Sequence, residues 1–288
     1  MTATTTILAD SPDFPWSRRT EALLDEQLRT AGEVQRKLLP ELLGPSSHLD
    51  IGAACESSGE VGGDYFDVVE VDETRIAFTI ADASGKGLGA ALLTAVLQGG
   101  MAGLVHTADP ARVVGRLNRY LTARSHAHRY VTAILGQIDT NGRIDAVNAG
   151  HHAVLLERSG SVTPVFESVG FPIGLFPNAE YESSSLDLEP GDTLLLTSDG
   201  VTEARNPGGE EFGMARVALA LAAGRHLPAQ LLAESLVDAV RAFSGQAHHD
   251  DDVTVLVVRY RGGRPAGVES APMGPEDPVL TPHIDVDR

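Results

Sequence analysis

The sequence predicts an α+β layered fold built on antiparallel sheets. Two observations carry this. Apolar, β-rich runs follow one another in adjacent pairs while helical patterns come in blocks; a parallel doubly wound sheet would alternate strand and helix. Between two of those runs sits Asn141-Gly142, a dipeptide that favours a type I′ hairpin and therefore antiparallel neighbours.

Residues 1–16 read as a flexible leader. The segment 17–45 is a linker carrying a helix, Ser17–Leu39, that Pro40 ends. Leu24, Leu28, Ala31 and Leu38 fall at spacings of four, three and seven, with Gln35 at the skipped position. Such a short heptad-like stripe either packs on its own domain or forms a dimer, and the run is too brief to choose. Residues 46–260 form one continuous domain. Its predicted strands are Ile51–Cys55, Tyr65–Val71, Arg75–Ala81, Val131–Ile138, Arg143–Val147, Val154–Glu157, Thr193–Ser198 and Val253–Arg259. Its predicted helices are Leu88–Leu104, Pro110–Arg124 and Pro228–Phe243, the second opened by Asp109 as N-cap and Pro110 at the first helical position. Residues 261–288 hold five of the sixteen prolines and no apolar periodicity, and read as a disordered tail.

Composition excludes several classes. Of 288 residues, 22 are Lys or Arg and 40 are Asp or Glu, a formal charge of −18. Nucleic acids and anionic membranes are poor partners for such a chain, because both need clustered basic residues. The most apolar run, Ala90–Val105, is broken by Gln98 and glycines and is too short to span a bilayer. The N-terminal stretch does not read as a signal peptide, so none is expected, and the single cysteine, Cys55, fits a reducing compartment. A cytoplasmic location is expected.

Several acids sit at predicted strand ends, most of them beside glycine: Asp64 after Gly62-Gly63, Asp82 before Ala83-Ser84-Gly85-Lys86-Gly87, Asp199-Gly200, and Asp250-Asp251-Asp252. Singly, each reads as turn chemistry. Together, on converging strand ends, they form a repulsive cluster that Lys86 alone cannot neutralise. Two divalent cations can, offsetting about four negative charges, and hard ions such as Mg²⁺ and Mn²⁺ prefer oxygen ligands. A two-metal site activates water and clamps a phosphoryl group.

Rival chemistries fare worse. Cys55 lies inside a predicted strand with no basic neighbour, which reads as an inert buried thiol. The pairs His151-His152 and His248-His249 lack zinc-ligand spacing. The loop Gly85-Lys86-Gly87-Leu88-Gly89 follows a strand and opens a helix, yet it fails the spacing of both the Walker and the dinucleotide fingerprints.

Six motifs in order, VGGDYFD (61–67), DASGKG (82–87), NAGHH (148–152), GFPIG (170–174), SDGVTEA (198–204) and DDVTVLVVR (251–259), resemble the metal-dependent PPM (PP2C-like) Ser/Thr protein phosphatases. The chain is most similar to their bacterial SpoIIE/RsbU-type branch, which regulates sigma factors. The resemblance implies an αββα sandwich of two antiparallel sheets flanked by helices, with two Mn²⁺ or Mg²⁺ ions at one edge. Position by position it implies Asp64 as the carboxylate bridging both ions. Asp82, the carbonyl of Ala83, Asp199 and Asp251 are the further ligands. Asp251 is chosen over Asp252 because Thr254 sets the register of the D-D-x-T pattern. Eukaryotic relatives carry a general-acid histidine where this chain has Ser84, which leaves the proton donor unassigned. The resemblance further implies hydrolysis of phosphoserine or phosphothreonine on a phosphorylated STAS-domain anti-anti-sigma protein. An activating protein or a homodimer would act through the N-terminal helix. A catalytically silent scaffold on the same fold is the alternative.

Overall fold

The structure, a computed structural model, describes residues 15–38, 40, 48–106, 109–124, 129–245 and 250–263, with side chains from residue 20 onward. Residues 1–14 of the expected leader, residues 264–288 of the expected tail, and His248-His249 lie outside the described residues.

Among the described residues ten strands form two five-stranded sheets in which every strand pair is antiparallel. The first sheet has the order β1 (Leu49–Glu56), β10 (Val253–Tyr260), β9 (Thr193–Thr197), β6 (Val154–Arg158) and β7 (Ser161–Val165). The second runs β2 (Asp64–Glu70), β3 (Arg75–Ala83), β4 (Val131–Asp139), β5 (Arg143–Ala149) and β8 (Ser184–Asp187).

Strand alternation sorts side chains into three apolar layers. Phe66, Phe78, Ile80, Ile134, Leu194, Leu196, Leu256 and Val258 point between the sheets and form the central core. Gly136 makes room there: a Cβ at that position would stand 2.3 Å from Phe78 Cζ. The intervening residues of the second sheet, such as Ala77, Ala81, Ala133 and Leu135, face outward. They pack under α2 (Leu88–Leu104) and α3 (Pro110–Thr122). Leu195, Val255 and Val257 of the first sheet do the same beneath α5 (Gly213–Gly224) and α6 (Ala229–Ser244). The result is helix, sheet, sheet, helix.

The α3 cap forms as its sequence reads, with Asp109 accepting from Arg112 N at 3.0 Å and Pro110 in the first turn. The Asn141-Gly142 hairpin also forms, but its turn is not type I′. That type needs positive φ at both central residues. Only Gly142 adopts it, at φ 87°. Three residues, 140–142, link the strands, and the Asp139 carboxylate accepts from the Asn141 and Arg143 amides. β7, β8, α5 and the one-turn α4 (Asp199–Thr202) were not foreseen. β7 is an exposed edge strand containing Pro164, β8 is four exposed or half-exposed residues, and α5 has no clear polar face.

The N-terminal helix α1 (Pro15–Leu38) docks through its Ala31–Gln35 stretch. Gly32 lies against the Glu60 carbonyl, where a Cβ would come within 2.0 Å of the oxygen, so only glycine permits the approach. Leu23, Leu24, Val34 and Leu38 remain exposed on the same helix. Among the described residues no helix is long and apolar enough to cross a membrane.

Candidate active site

Two of the acids, Asp64 and Asp82, occupy the same alternating positions as the central core, continued to the strand ends. Along β3, Ile76, Phe78 and Ile80 face inward, and the next inward residue is Asp82. Asp64 is its direct cross-strand partner on β2, and Thr132 faces Asp82 from β4. On β10 the inward series Tyr260, Val258, Leu256 continues to Thr254, opposite Cys55 on β1. At this one end of the inter-sheet space the lining therefore changes from hydrocarbon to oxygen.

Asp82, Asp199 and Asp251 line one open cleft of about 280 Å³ together with Ala83, Ser84, Lys86 and His152. Asp199 is carried into it by the first residue of α4, directly after the end of β9. Asp64 lies deeper, 7% exposed, with its Oδ2 accepting from Thr254 Oγ1 at 2.6 Å. Among the described residues Lys86 is the single lysine or arginine lining the cleft, and it sits 3.0 Å from the Asp251 carboxylate. It also donates to the Asp250 carbonyl.

The adjacent aspartates Asp251 and Asp252 have different surroundings. Asp251 faces the cleft. Asp252, 6% exposed, accepts from Ser58 N and Oγ through Oδ1 and from Gly63 N (2.6 Å) and Asp64 N (3.4 Å) through Oδ2. It holds the 58–64 loop in place. On its other side that loop is gripped by α1: Gln35 donates to the Gly62 carbonyl at 2.8 Å and accepts from the Gly62 amide at 3.0 Å.

Crowded carboxylates in a poorly solvated pocket resist ionisation. Burial, and then the charges of Asp199, Asp251 and Asp252, push Asp82 up to about 7. Burial and then Asp251 raise Asp199. Burial raises Asp64 well above the usual carboxylate range, against the lowering effect of the Thr254 hydrogen bond. Lys86 is raised by its hydrogen bond to Asp251. The donors are all oxygen, which suits hard divalent cations and not zinc. Among the described residues no three His, Cys, Asp or Glu side chains form a ready cage, so an ion here would keep water in its shell.

The remaining candidates are structural. His151 Nε2 donates to the Thr197 carbonyl at 3.1 Å and Nδ1 accepts from Thr132 Oγ1 at 2.9 Å, leaving no ring nitrogen for a metal. Burial lowers its pKa to about 4, so it stays neutral. Asn148 donates to the carbonyls of His151, His152 and Phe166, joining the cleft wall to the 166–176 loop. Burial pushes the Cys55 thiol up to about 12, the state of an inert thiol. Thr254, Asp252, Asn148 and Gln35 are the site residues whose roles were missed. All four lie in or beside the recognised motifs or the helix stripe, but what they do depends on partners far away in sequence.

A two-sheet sandwich with helices outside and carboxylates at one mouth is the PP2C architecture. The SiaA-PP2C domain of Pseudomonas aeruginosa superimposes with a TM-score of 0.74 at 22% identity, covering 83% of this chain and 98% of that one. The crystal structure of RsbX in complex with magnesium gives a TM-score of 0.58 at 16% identity, covering 75% and 98%. The chain belongs to the Stage II sporulation protein E (SpoIIE) family, whose pattern matches residues 72–261. It is 28% identical to phosphoserine phosphatase RsbU of Bacillus subtilis over 243 residues, 83% of this chain and 71% of RsbU. It is 31% identical to phosphoserine phosphatase RsbP of the same organism over 183 residues, 62% of this chain but 45% of RsbP, so the chain spans less than half of that relative.

Proposed function

We propose that the chain is a metal-dependent protein phosphatase that hydrolyses phosphoserine or phosphothreonine. The observation that carries this is the convergence of Asp82, Asp199 and Asp251 on one cleft, with Asp64 behind them, on a sandwich of the SpoIIE family. Asp64, Asp82, Asp199, Asp251 and the Ala83 carbonyl hold two Mn²⁺ or Mg²⁺ ions. Bound there, the ions supply activation of water and neutralisation of phosphoryl charge. Asp64 is kept in place by Thr254, and the loop that carries it by Asp252 and Gln35. Lys86, at the cleft mouth, balances Asp251 and presents a cation to an incoming phosphate.

The substrate in this reading is a phosphorylated STAS-domain anti-anti-sigma protein in a cytoplasmic partner-switching pathway, as the resemblance to the SpoIIE/RsbU-type branch implies; the names of RsbU and RsbP support phosphoserine as the group removed. An activating protein or second copy acts through α1, whose exposed Leu23, Leu24, Val34 and Leu38 are free to be covered while Gln35 touches the Asp64 loop.

The test is manganese-dependent hydrolysis of p-nitrophenyl phosphate, abolished by a chelator, followed by phosphate release from phosphorylated STAS proteins. A folded chain that binds such a protein yet releases no phosphate with Mn²⁺ or Mg²⁺ is a scaffold, and the enzymatic reading fails.

A further inference from the structure

Thr254 stands at a crossing of the two sheets. It is fully buried, on β10 of the first sheet, yet its hydroxyl reaches across to Asp64 on β2 of the second. The oxygen–oxygen distance of 2.6 Å is that of a charge-assisted hydrogen bond to a carboxylate. The same hydroxyl lies 3.2 Å from Cys55 Sγ, its cross-strand neighbour. Its own backbone is held as well: the Thr254 amide donates to Ser198 Oγ at 2.9 Å, and Ser198 Oγ donates to the Asp252 carbonyl at 3.2 Å. Ser198, the residue before Asp199, therefore links the placement of Thr254 to the start of α4.

We infer that Thr254 is a positioning residue for Asp64, deepening the phosphatase reading on which it rests. A buried carboxylate with no donor would be free to rotate and would leave a polar group unpaired. The Thr254 hydroxyl selects one carboxylate rotamer, with Oδ2 turned to β10. The main chain of Asp64 is fixed separately by Asp252, so the aspartate is restrained at both its backbone and its carboxylate by the two halves of one short segment, 252–254. The arrangement has the logic of the outer groups that orient metal-ligating side chains, whose loss costs about 10–100-fold in metal affinity or activity.

Three variants separate this from packing. Thr254→Val keeps the shape and removes the hydroxyl; Thr254→Ser keeps the hydroxyl and removes a methyl; Val255→Ala trims an apolar neighbour on the opposite face. Each is compared with the parent by calorimetric titration of Mn²⁺, by kcat and KM for a phosphopeptide, by thermal melting, and by a crystal structure without metal. Thr254→Val is expected to lose about tenfold or more in Mn²⁺ affinity and in kcat, with KM little changed and Asp64 turned out of its rotamer. Thr254→Ser should recover most of both, and Val255→Ala should lower the melting temperature alone. Parental affinity and kcat in a folded Thr254→Val protein would overturn the inference, as would an unmoved Asp64 in its crystal structure. A parent protein that neither binds Mn²⁺ nor releases phosphate fails the phosphatase reading instead; the Asp64 rotamer then still decides the role of Thr254.

Discussion

At one end of the inter-sheet space Leu49, Ile138, Ile144 and Tyr260 are packed almost without exposure, and Tyr260 closes it with a hydrogen bond to the Thr140 carbonyl. At the other end, in the same two sheets and on the same inward faces, stand Asp64, Asp82 and Thr254. Nothing in the backbone distinguishes them; both ends are continuous antiparallel ladder. The difference teaches that a strand pair delivers side chains to a place without regard to their chemistry. The apolar end supplies stability, and that surplus lets the acidic end keep carboxylates crowded together.

Four predictions would break or sharpen that contrast. The largest effect belongs to the acidic end. Asp199→Ala or Asp64→Ala should lower metal-dependent phosphate release by about a thousandfold, the scale of the several kcal/mol that bound metals contribute. Neither should unfold the protein, since each removes a repelling charge. Circular dichroism alongside the assay checks both halves. At the apolar end the pattern reverses: Phe78→Ala should cost about 3–5 kcal/mol of stability, and residual activity per folded molecule should stay near the parent value. Denaturant unfolding measures the first and titration of active protein the second.

Acidity gives a smaller, diagnostic effect. Asp82 is raised from 3.8 to about 7 in the folded protein, so the native state binds a proton that the unfolded chain has released. This contribution to stability is complete below about pH 3.8 and is lost as pH rises through about 7. In the presence of a chelator, the acidic end should therefore favour folding less at pH 8 than at pH 5, and Asp82→Asn should flatten that part of the profile. An unchanged pH dependence in the variant would remove Asp82 from the crowded cluster. The smallest effect is Gln35→Ala, which deletes two hydrogen bonds to Gly62 and should cost about 1–2 kcal/mol. Faster hydrogen exchange at the Gly62 amide, with the Phe78 layer unaffected, would show that the loss is local.

The fold was legible because long strands such as β3 and β10 are near-continuous apolar runs, buried on both faces, and because Asp or Gly lies close to several of their ends. The short edge strands were not: β7 carries Pro164, and β8 is held by pairing with β5 rather than by any apolar pattern of its own. Within the site, Asp64, Asp82, Asp199 and Asp251 were all named as candidates. The division of labour between Asp251 and Asp252 was not readable from the residues themselves, since neighbours of identical chemistry differ only in what folds against them. For Asp252 that is the Ser58–Gly63 loop, some 190 residues earlier, at separations of 194 and 189. The hairpin at Asn141-Gly142 shows the opposite limit, where the dipeptide announced a turn but the Asp139 side chain selected which one.

The pairing of β1 with β10 has a mechanical consequence. Leu49 lies opposite Tyr260, so the chain enters and leaves the sandwich side by side at its apolar end. Tension applied between those two points loads the ladder one rung at a time, from Leu49–Tyr260 toward Cys55–Thr254, and never shears all rungs at once. Such a zipper yields at low force, and it opens last beside Asp64.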